Sequence, residues 1–347
     1  MKNEKFKIIS KNRQNLRDIL PLEKPLSLFI EPTNMCNFKC KPCVHGHDKS
    51  REDLKPFINF DYETYINIIK ELKNWSGPKL KLLRLTALGE PFMNPMICEM
   101  IRLAKDADIA ERVDLFTNGS LLTEEICKEL VDIGLDYIRI SIYSVLPDRH
   151  KEITRSNVSI EKIRNNVETL FRIREEKCQK KPYILAKMFD TYSFENDVYK
   201  AMYKDIVDEV GFEKVHDATK YNSADLIGDF YKDEDKVRRT KEEFKNSLND
   251  IKTCPRPFMS LVICANGDVV MCTHDAPRAT KVANIKEKKL QEIWNGHELY
   301  NFRKMLLTGN KNKNRLCKNC EWYRLFPQED NVDDFPLEKL PGGKIND

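Results

Sequence analysis

The chain has 347 residues, 41% of them hydrophobic and 33% charged, with a formal net charge of +4. That length accommodates one large domain and a smaller one, and so small a net charge excludes the single-sign field that nucleic-acid binding uses. No apolar run approaches the ~20 residues of a membrane span, and the N-terminus, MKNEKFKIISKNRQN, lacks the apolar core of a signal peptide. The expectation is a cytoplasmic protein with no nucleic-acid and no membrane partner; the basic run at 310–315, NKNKNR, reads as a solvated loop. Eleven cysteines in such a chain argue for a reducing compartment and metal ligation rather than disulfides.

Residues 1–25 read as a polar lead-in closing at Pro25. Residues 26–31, LSLFIE, form the first expected strand and run directly into a cysteine loop. Apolar residues at helical spacing predict a helix over 60–75. A strand at 80–87 then enters Gly89-Glu90-Pro91, followed by a helix at 95–105 and a strand at 112–117 ending in Asn118-Gly119. Next come a helix at 123–134, capped by Thr123 and stopped by glycine, a strand at 136–142 and a long helix at 160–176. A strand at 183–189, a helix at 197–210 and a short strand at 213–217 complete the series. This alternation predicts an α/β fold, a parallel sheet with helices outside. Its ligand site should lie after the carboxyl ends of the strands, where the cysteine loop, Gly89, Glu90, Asn118 and Ser141 all fall.

The character changes after Asn222. A charged helix at 233–251 reads as a connector, and strands at 259–265 and 269–272 flank the hairpin signal Asn266-Gly267. Helices follow at 290–294 and 299–307, then Cys317-x2-Cys320, then an acidic, proline-containing stretch at 326–347 that reads as a loose tail. The expected organisation is a lead-in (1–25), a partial barrel (26–232), a connector (233–252), a small cysteine-bearing domain (253–325) and the tail (326–347).

The chemistry starts at Cys36, Cys40 and Cys43, spaced Cys-x3-Cys-x2-Cys in EPTNMCNFKCKPC. Structural zinc sites close four positions and ferredoxin-type clusters take four cysteines; here the fourth cysteine does not come until Cys98. Three thiolates on one loop suit a cubane cluster with one iron left open to a small molecule.

With Leu88-Gly89-Glu90-Pro91 after the second strand, Cys254…Gly267-x4-Cys272…Cys317-x2-Cys320 behind, and the joining tract VANIKEKKLQEIWNG at 282–296, the chain resembles the radical S-adenosylmethionine (SAM) superfamily with a C-terminal SPASM/twitch module. The resemblance covers roughly residues 26–325. It implies a partial (β/α)6 TIM-like barrel followed by a small iron–sulfur domain. A SAM-binding [4Fe-4S] cluster would sit on Cys36, Cys40 and Cys43, and one auxiliary [4Fe-4S] cluster on Cys254, Cys272, Cys317 and Cys320. Cofactor contacts would come from Gly89, Glu90, Asn118 and Ser141. The family pattern has glycine where Leu88 stands, and an aromatic residue where Pro42 stands; Phe38 lies nearby. The implied reaction is reductive cleavage of SAM, with electrons from a donor such as flavodoxin or ferredoxin, then hydrogen-atom abstraction from substrate carbon. The cysteine spacing resembles that of aminocyclitol dehydrogenases, with sugar and aminoglycoside epimerases close behind. This implies a carbohydrate- or aminocyclitol-like substrate and either dehydrogenation or epimerisation.

Two rival readings stand beside this one. A ribosomally made peptide is the other substrate class, against which a 25-residue lead-in reads as short for a peptide-recognition domain. A non-catalytic zinc or iron–sulfur binding protein is the other class of function, since Cys-x2-Cys alone often binds zinc. Cys264 is left without a ligand role. It reads either as a thiol returning a hydrogen atom to a substrate radical or as a small buried strand residue. Cys98, Cys127 and Cys178 read as core or surface residues. His45, His47, Arg155, Lys187, Asp190, His216, Asp217, Lys220, Tyr221, Asn222 and Arg256 are candidates for the cavity by position.

Overall fold

The structure, a computed structural model, describes residues 13–216 and 226–343. Among these residues one sheet is built from β1 Ser27–Ile30, β2 Leu82–Arg84, β3 Val113–Thr117, β4 Tyr137–Ile142, β5 Tyr183–Phe189, β6 Glu209–Glu213, β7 Ser260–Ile263, β8 Asp268–Val270 and β9 Lys281–Asn284. The spatial order is β6-β5-β4-β3-β2-β1-β7-β8-β9. Strands β1 to β6 lie side by side in chain order and parallel, as the alternation predicts. Helices Tyr62–Asn74, Ile97–Asp106, Glu124–Ile133, Ile160–Glu176 and Glu195–Tyr203 connect them.

These helices begin where side chains can cap them. Asp61 accepts from Thr64 N–H, Thr123 from Ile126 N–H and Ser159 from Lys162 N–H, each cap contributing about 1 kcal/mol. Gly134 ends its helix in the left-handed region at φ 70°, a conformation free of steric cost only for glycine. The helices bury one apolar stripe each, including Tyr65, Ile68 and Leu72 on the first and Ile163, Val167 and Leu170 on the fourth. The strands bury the opposing face with Leu83, Leu115, Ile138, Ile140 and Ile184. Side chains alternate across a strand, so the other face carries Phe29, Arg84, Asp114, Phe116, Arg139, Ser141 and Lys187 together.

The C-terminal hairpin does not form a sheet of its own. β7 pairs in parallel with β1 along Ser27–Ile30, and β8 and β9 follow antiparallel. β1 is thereby an interior strand, and the cysteine loop that follows it is flanked on both sides.

Four expectations change. The helix expected over 197–210 stops at Tyr203, and β6 occupies Glu209–Glu213 rather than 213–217; the backbone of β6 pairs with β5, which outweighs the local helical spacing. Strand β9 and the helix Pro147–Thr154 were not anticipated, having little apolar periodicity of their own. The connector helix is shorter, Glu234–Asn246. The stretch taken for a loose tail packs: Val332, Phe335 and Leu340 are buried with Leu16 and Phe258. Asp330 binds Arg13 there, and Asp333 accepts from the backbone of Lys252 and Thr253. No helix among the described residues is long and apolar enough to cross a membrane.

Candidate active site between two cysteine sets

The loop after β1 is held by its neighbours. Glu31 is fully buried and accepts from Leu88 N–H and Ala265 N–H, at 3.1 and 2.9 Å, tying the ends of β1, β2 and β7 together. Glu90 N–H donates to Met35 O at 2.8 Å, and Asn118 Nδ2 donates to Asn37 Oδ1 at 2.9 Å. Arg155 Nη1 donates to Gly46 O at 2.7 Å.

Within this frame Cys36, Cys40 and Cys43 come together. Burial raises the pKa of all three, and mutual repulsion of their thiolates raises Cys36 and Cys40 further. Tyr143 hydrogen-bonds Cys40 and feels all three sulfurs. Cys254, Cys272, Cys317 and Cys320 also converge. Burial pushes Cys254 up to about 12 and Cys272 to about 11, and Cys317 is raised by burial and then by the other three. No three His, Cys, Asp or Glu groups among the described residues are placed to hold a single metal ion. Thiols packed in this way ionise only when a cation neutralises them, and an iron–sulfur cubane accepts sulfur ligands at its corners. The donor sets fit such clusters, three thiols in one and four in the other.

Between the two sets lies a cavity of ≈ 690 Å³. Pro42, Cys43, His47 and Ser141 line it near the first set, and Arg256, Thr273, His274 and Trp322 near the second. His274 Nδ1 is 3.9 Å from Cys272 Sγ and its ring is 4.9 Å from Trp322. Burial drops the His274 pKa to about 3 and that of His216 to about 4, so both are neutral bodies in the wall.

The anticipated residues sort themselves by this geometry. Ser141, His47, Lys187, His216 and Arg256 line the cavity. Gly89 lies against backbone: an added Cβ would meet Thr33 O at 2.0 Å. Glu90 is buried, accepts from Thr117 Oγ1 at 2.6 Å and Asn118 N–H at 2.8 Å, and burial raises its pKa to about 7. Asn118 Oδ1 accepts from Ser120. His45 is buried with Nε2 3.1 Å from Leu88 O. Phe38 is enclosed in the core, edge-on to His150 at 6.3 Å, and turns no face to the cavity. Asp190 binds Tyr192 N–H and Asn196 instead of facing the cavity. Asp217, Lys220, Tyr221 and Asn222 lie outside the described residues. Cys98 and Cys127 are buried in the core and Cys178 is exposed.

Cys264 is not in the cavity wall. It is buried with Val262 and Val270 behind Phe29 and Ala87, and its Sγ lies 2.7 Å from Arg278 Nη1, while Nη2 of the same arginine donates to Glu31. Sequence reasoning passed over Arg84, Arg139, Tyr143 and Arg278. A charge inside an otherwise apolar strand, as in LKLLRLTA or DYIRISI, is the signal that marks the first two.

Comparison with known proteins agrees with this arrangement. Residues 30–177 match the radical SAM superfamily model, and residues 254–321 match an iron-sulfur cluster-binding domain, SPASM. These matches give the chain a radical SAM domain followed by a SPASM domain, which implies SAM and [4Fe-4S] clusters as cofactors. The tungsten-containing aldehyde ferredoxin oxidoreductase cofactor-modifying protein of Pyrococcus furiosus is 30% identical over 157 residues, 45% of this chain and 41% of that protein. GTP 3′,8-cyclase of Clostridium perfringens is 34% identical over 148 residues, 40% of this chain and 43% of that one. The matched stretch thus spans about two fifths of these relatives. Among solved structures, anSMEcpe with bound AdoMet superposes with a TM-score of 0.61 at 17% identity, covering 89% of this chain and 92% of that one. Streptococcus suis SuiB bound to precursor peptide SuiA gives 0.60 at 16%, covering 86% and 72%. BtrN in complex with AdoMet and 2-DOIA gives 0.50 at 18%, covering 90% and 96%. At these identities the likeness is one of fold.

Proposed function

We propose that this protein is a radical SAM oxidoreductase that dehydrogenates a small polar molecule held between its two cysteine sets. The observation that carries this reading is the single cavity reaching from Cys43 to the surroundings of Cys272. Cys36, Cys40 and Cys43 would hold the [4Fe-4S] cluster that binds SAM, and together these groups would supply the chemistry that removes a hydrogen atom from substrate carbon. Gly89 and Glu90 hold the loop whose Cys36, Cys40 and Cys43 would carry the cluster, and Ser141, in the cavity wall, would contact the cofactor. Cys254, Cys272, Cys317 and Cys320 would hold one auxiliary cluster, which would accept the electron as the substrate radical releases its proton to solvent. The ≈ 690 Å³ must hold SAM as well as substrate, and the space left beside SAM favours a small molecule over a peptide. The seclusion of Cys264 behind the wall favours dehydrogenation over an epimerisation that returns hydrogen from that thiol.

Anaerobic reconstitution tests the proposal. The expected result is about eight irons per chain, from two cubanes, and 5′-deoxyadenosine on addition of SAM and reductant. Bound zinc with no SAM cleavage would overturn it.

A further inference from the structure

The inner face of the sheet carries a positive charge that no described carboxylate balances. Arg84 and Arg112 share Asp114: Arg84 binds it through two bonds of 2.6 and 2.8 Å, Arg112 through one of 2.8 Å. Lys187 is paired with Glu213. Arg139, on β4 between them, forms no ion pair among the described residues, and its Nε is buried without a hydrogen-bond partner there. Its guanidinium carbon lies 3.6 Å from the Phe116 ring centroid, and Arg84 lies 3.8 Å from the same ring. Burial and the repulsion of Arg84 lower the Arg139 pKa to about 10, so it stays charged at neutral pH. Lys187, held by Glu213, lines the same cavity, and burial followed by Arg139 lowers its pKa, so Arg139 is the cation left to a ligand there.

An uncompensated buried charge is expensive, by several kcal/mol per ion, and persists where a ligand completes it. The thiols of the two cysteine sets have other cations beside them. Arg256 is the cation that the Cys254, Cys272 and Cys320 thiols feel, and Arg51 the one that Cys36 feels. The charged and ionisable groups acting on Arg139 are Arg84, Tyr137, Tyr143 and Asp114.

We infer that the substrate is an anion, whose carboxylate or phosphate oxygens are bound by the Arg139 guanidinium. The guanidinium is already flattened against Phe116, leaving its nitrogen edge for planar recognition of two oxygens. The inference rests on the proposed function in placing the substrate in this cavity, and it narrows a polar substrate to an acidic one, such as a sugar acid or a sugar phosphate. A purely cationic aminocyclitol would meet repulsion here.

The test uses reconstituted holoenzyme and calorimetric titration with D-glucuronate, inorganic phosphate, D-glucose and D-glucosamine. Binding of glucuronate identifies a carboxylate and binding of phosphate a phosphoryl group; glucose and glucosamine are expected not to bind. Arg139→Gln should weaken the anion by about tenfold or more, and Arg139→Lys by less, with iron content and SAM affinity unchanged in both. Equal binding of glucose or glucosamine, no anion binding, or anion affinity within about twofold in Arg139→Gln would overturn the inference. A parallel loss of SAM affinity would also overturn it, by assigning the anion to the methionine carboxylate. If SAM is not cleaved while phosphate or glucuronate binding still depends on Arg139, the proposed reaction fails and the anion site stands. If SAM is cleaved and anion binding ignores Arg139, only this inference fails.

Discussion

Gly89 and Thr33 touch through their backbones: a Cβ on Gly89 would stand 2.0 Å from Thr33 O and 2.7 Å from Met35 O. Neither carbonyl can swing aside as a side chain would, because the Met35 carbonyl is held by Glu90 N–H. Gly89→Ala is therefore expected to cost on the order of 3 kcal/mol and to displace Cys36 from its partners. Thermal melting and iron content of the reconstituted protein check this together; a wild-type melting point with full iron would refute it.

The two cysteine sets should separate by mutation. Cys254→Ala is expected to lower iron from about eight to about four per chain, while deoxyadenosine is still formed and substrate oxidation is lost. Cys36→Ala should lower iron similarly and abolish SAM cleavage. Iron analysis and product chromatography distinguish the two, and full substrate turnover in Cys254→Ala would contradict the electron-accepting role.

Asp114 is fully buried and holds Arg84 and Arg112 at once. Asp114→Asn leaves two guanidinium groups without a counter-charge, at a cost of about 3 to 5 kcal/mol. Denaturant unfolding of the apoprotein measures this; a change below about 1 kcal/mol would mean that water or the Phe116 ring already carries those charges.

His216 is neutral in the fold, its pKa lowered to about 4 by burial and then by Lys214 and Lys187. The unfolded chain takes up a proton near its ordinary value of 6.5, which the folded chain refuses. Stability from this group is thus fully present above about pH 6.5 and is lost as pH falls toward about 4. Between about pH 7 and pH 5 the loss is up to about 2 kcal/mol. His216→Gln should flatten that part of the stability profile, as followed by denaturant titration at both values; an unchanged slope would refute it.

Cys264 sits behind the cavity wall with Arg278 on its sulfur. Once a substrate is known, turnover in deuterated water should give an oxidised product carrying no deuterium at the reacting carbon, in both wild type and Cys264→Ala. Deuterium incorporation that disappears in Cys264→Ala would establish epimerisation instead.

The helix Ile160–Glu176, strand β5 and the helix Leu290–Trp294 fall at the residues expected from the sequence, because each carries a strong local period and clear stops. The six-strand alternation and the seven cysteines were legible for the same reason: spacing within a short stretch encodes them. β6 was misplaced and β9 missed because short strands are selected by the neighbour they pair with, not by their own composition. The stretch 326–343 reads as a tail from sequence because its few apolar residues, Val332, Phe335 and Leu340, gain their meaning only against Leu16 and Phe258.

By itself the sequence determined the order of elements, the two cysteine sets and the kind of cluster chemistry they suit, since these depend on residue type and local spacing. Only the tertiary structure decided that β7 completes the sheet beside β1, that one cavity joins both cysteine sets, and that Cys264 is outside it. It alone also left Arg139 without a carboxylate partner among the described residues. Each of these turns on the distance between residues far apart in the chain, and burial sets the energetic cost of an unpaired charge there.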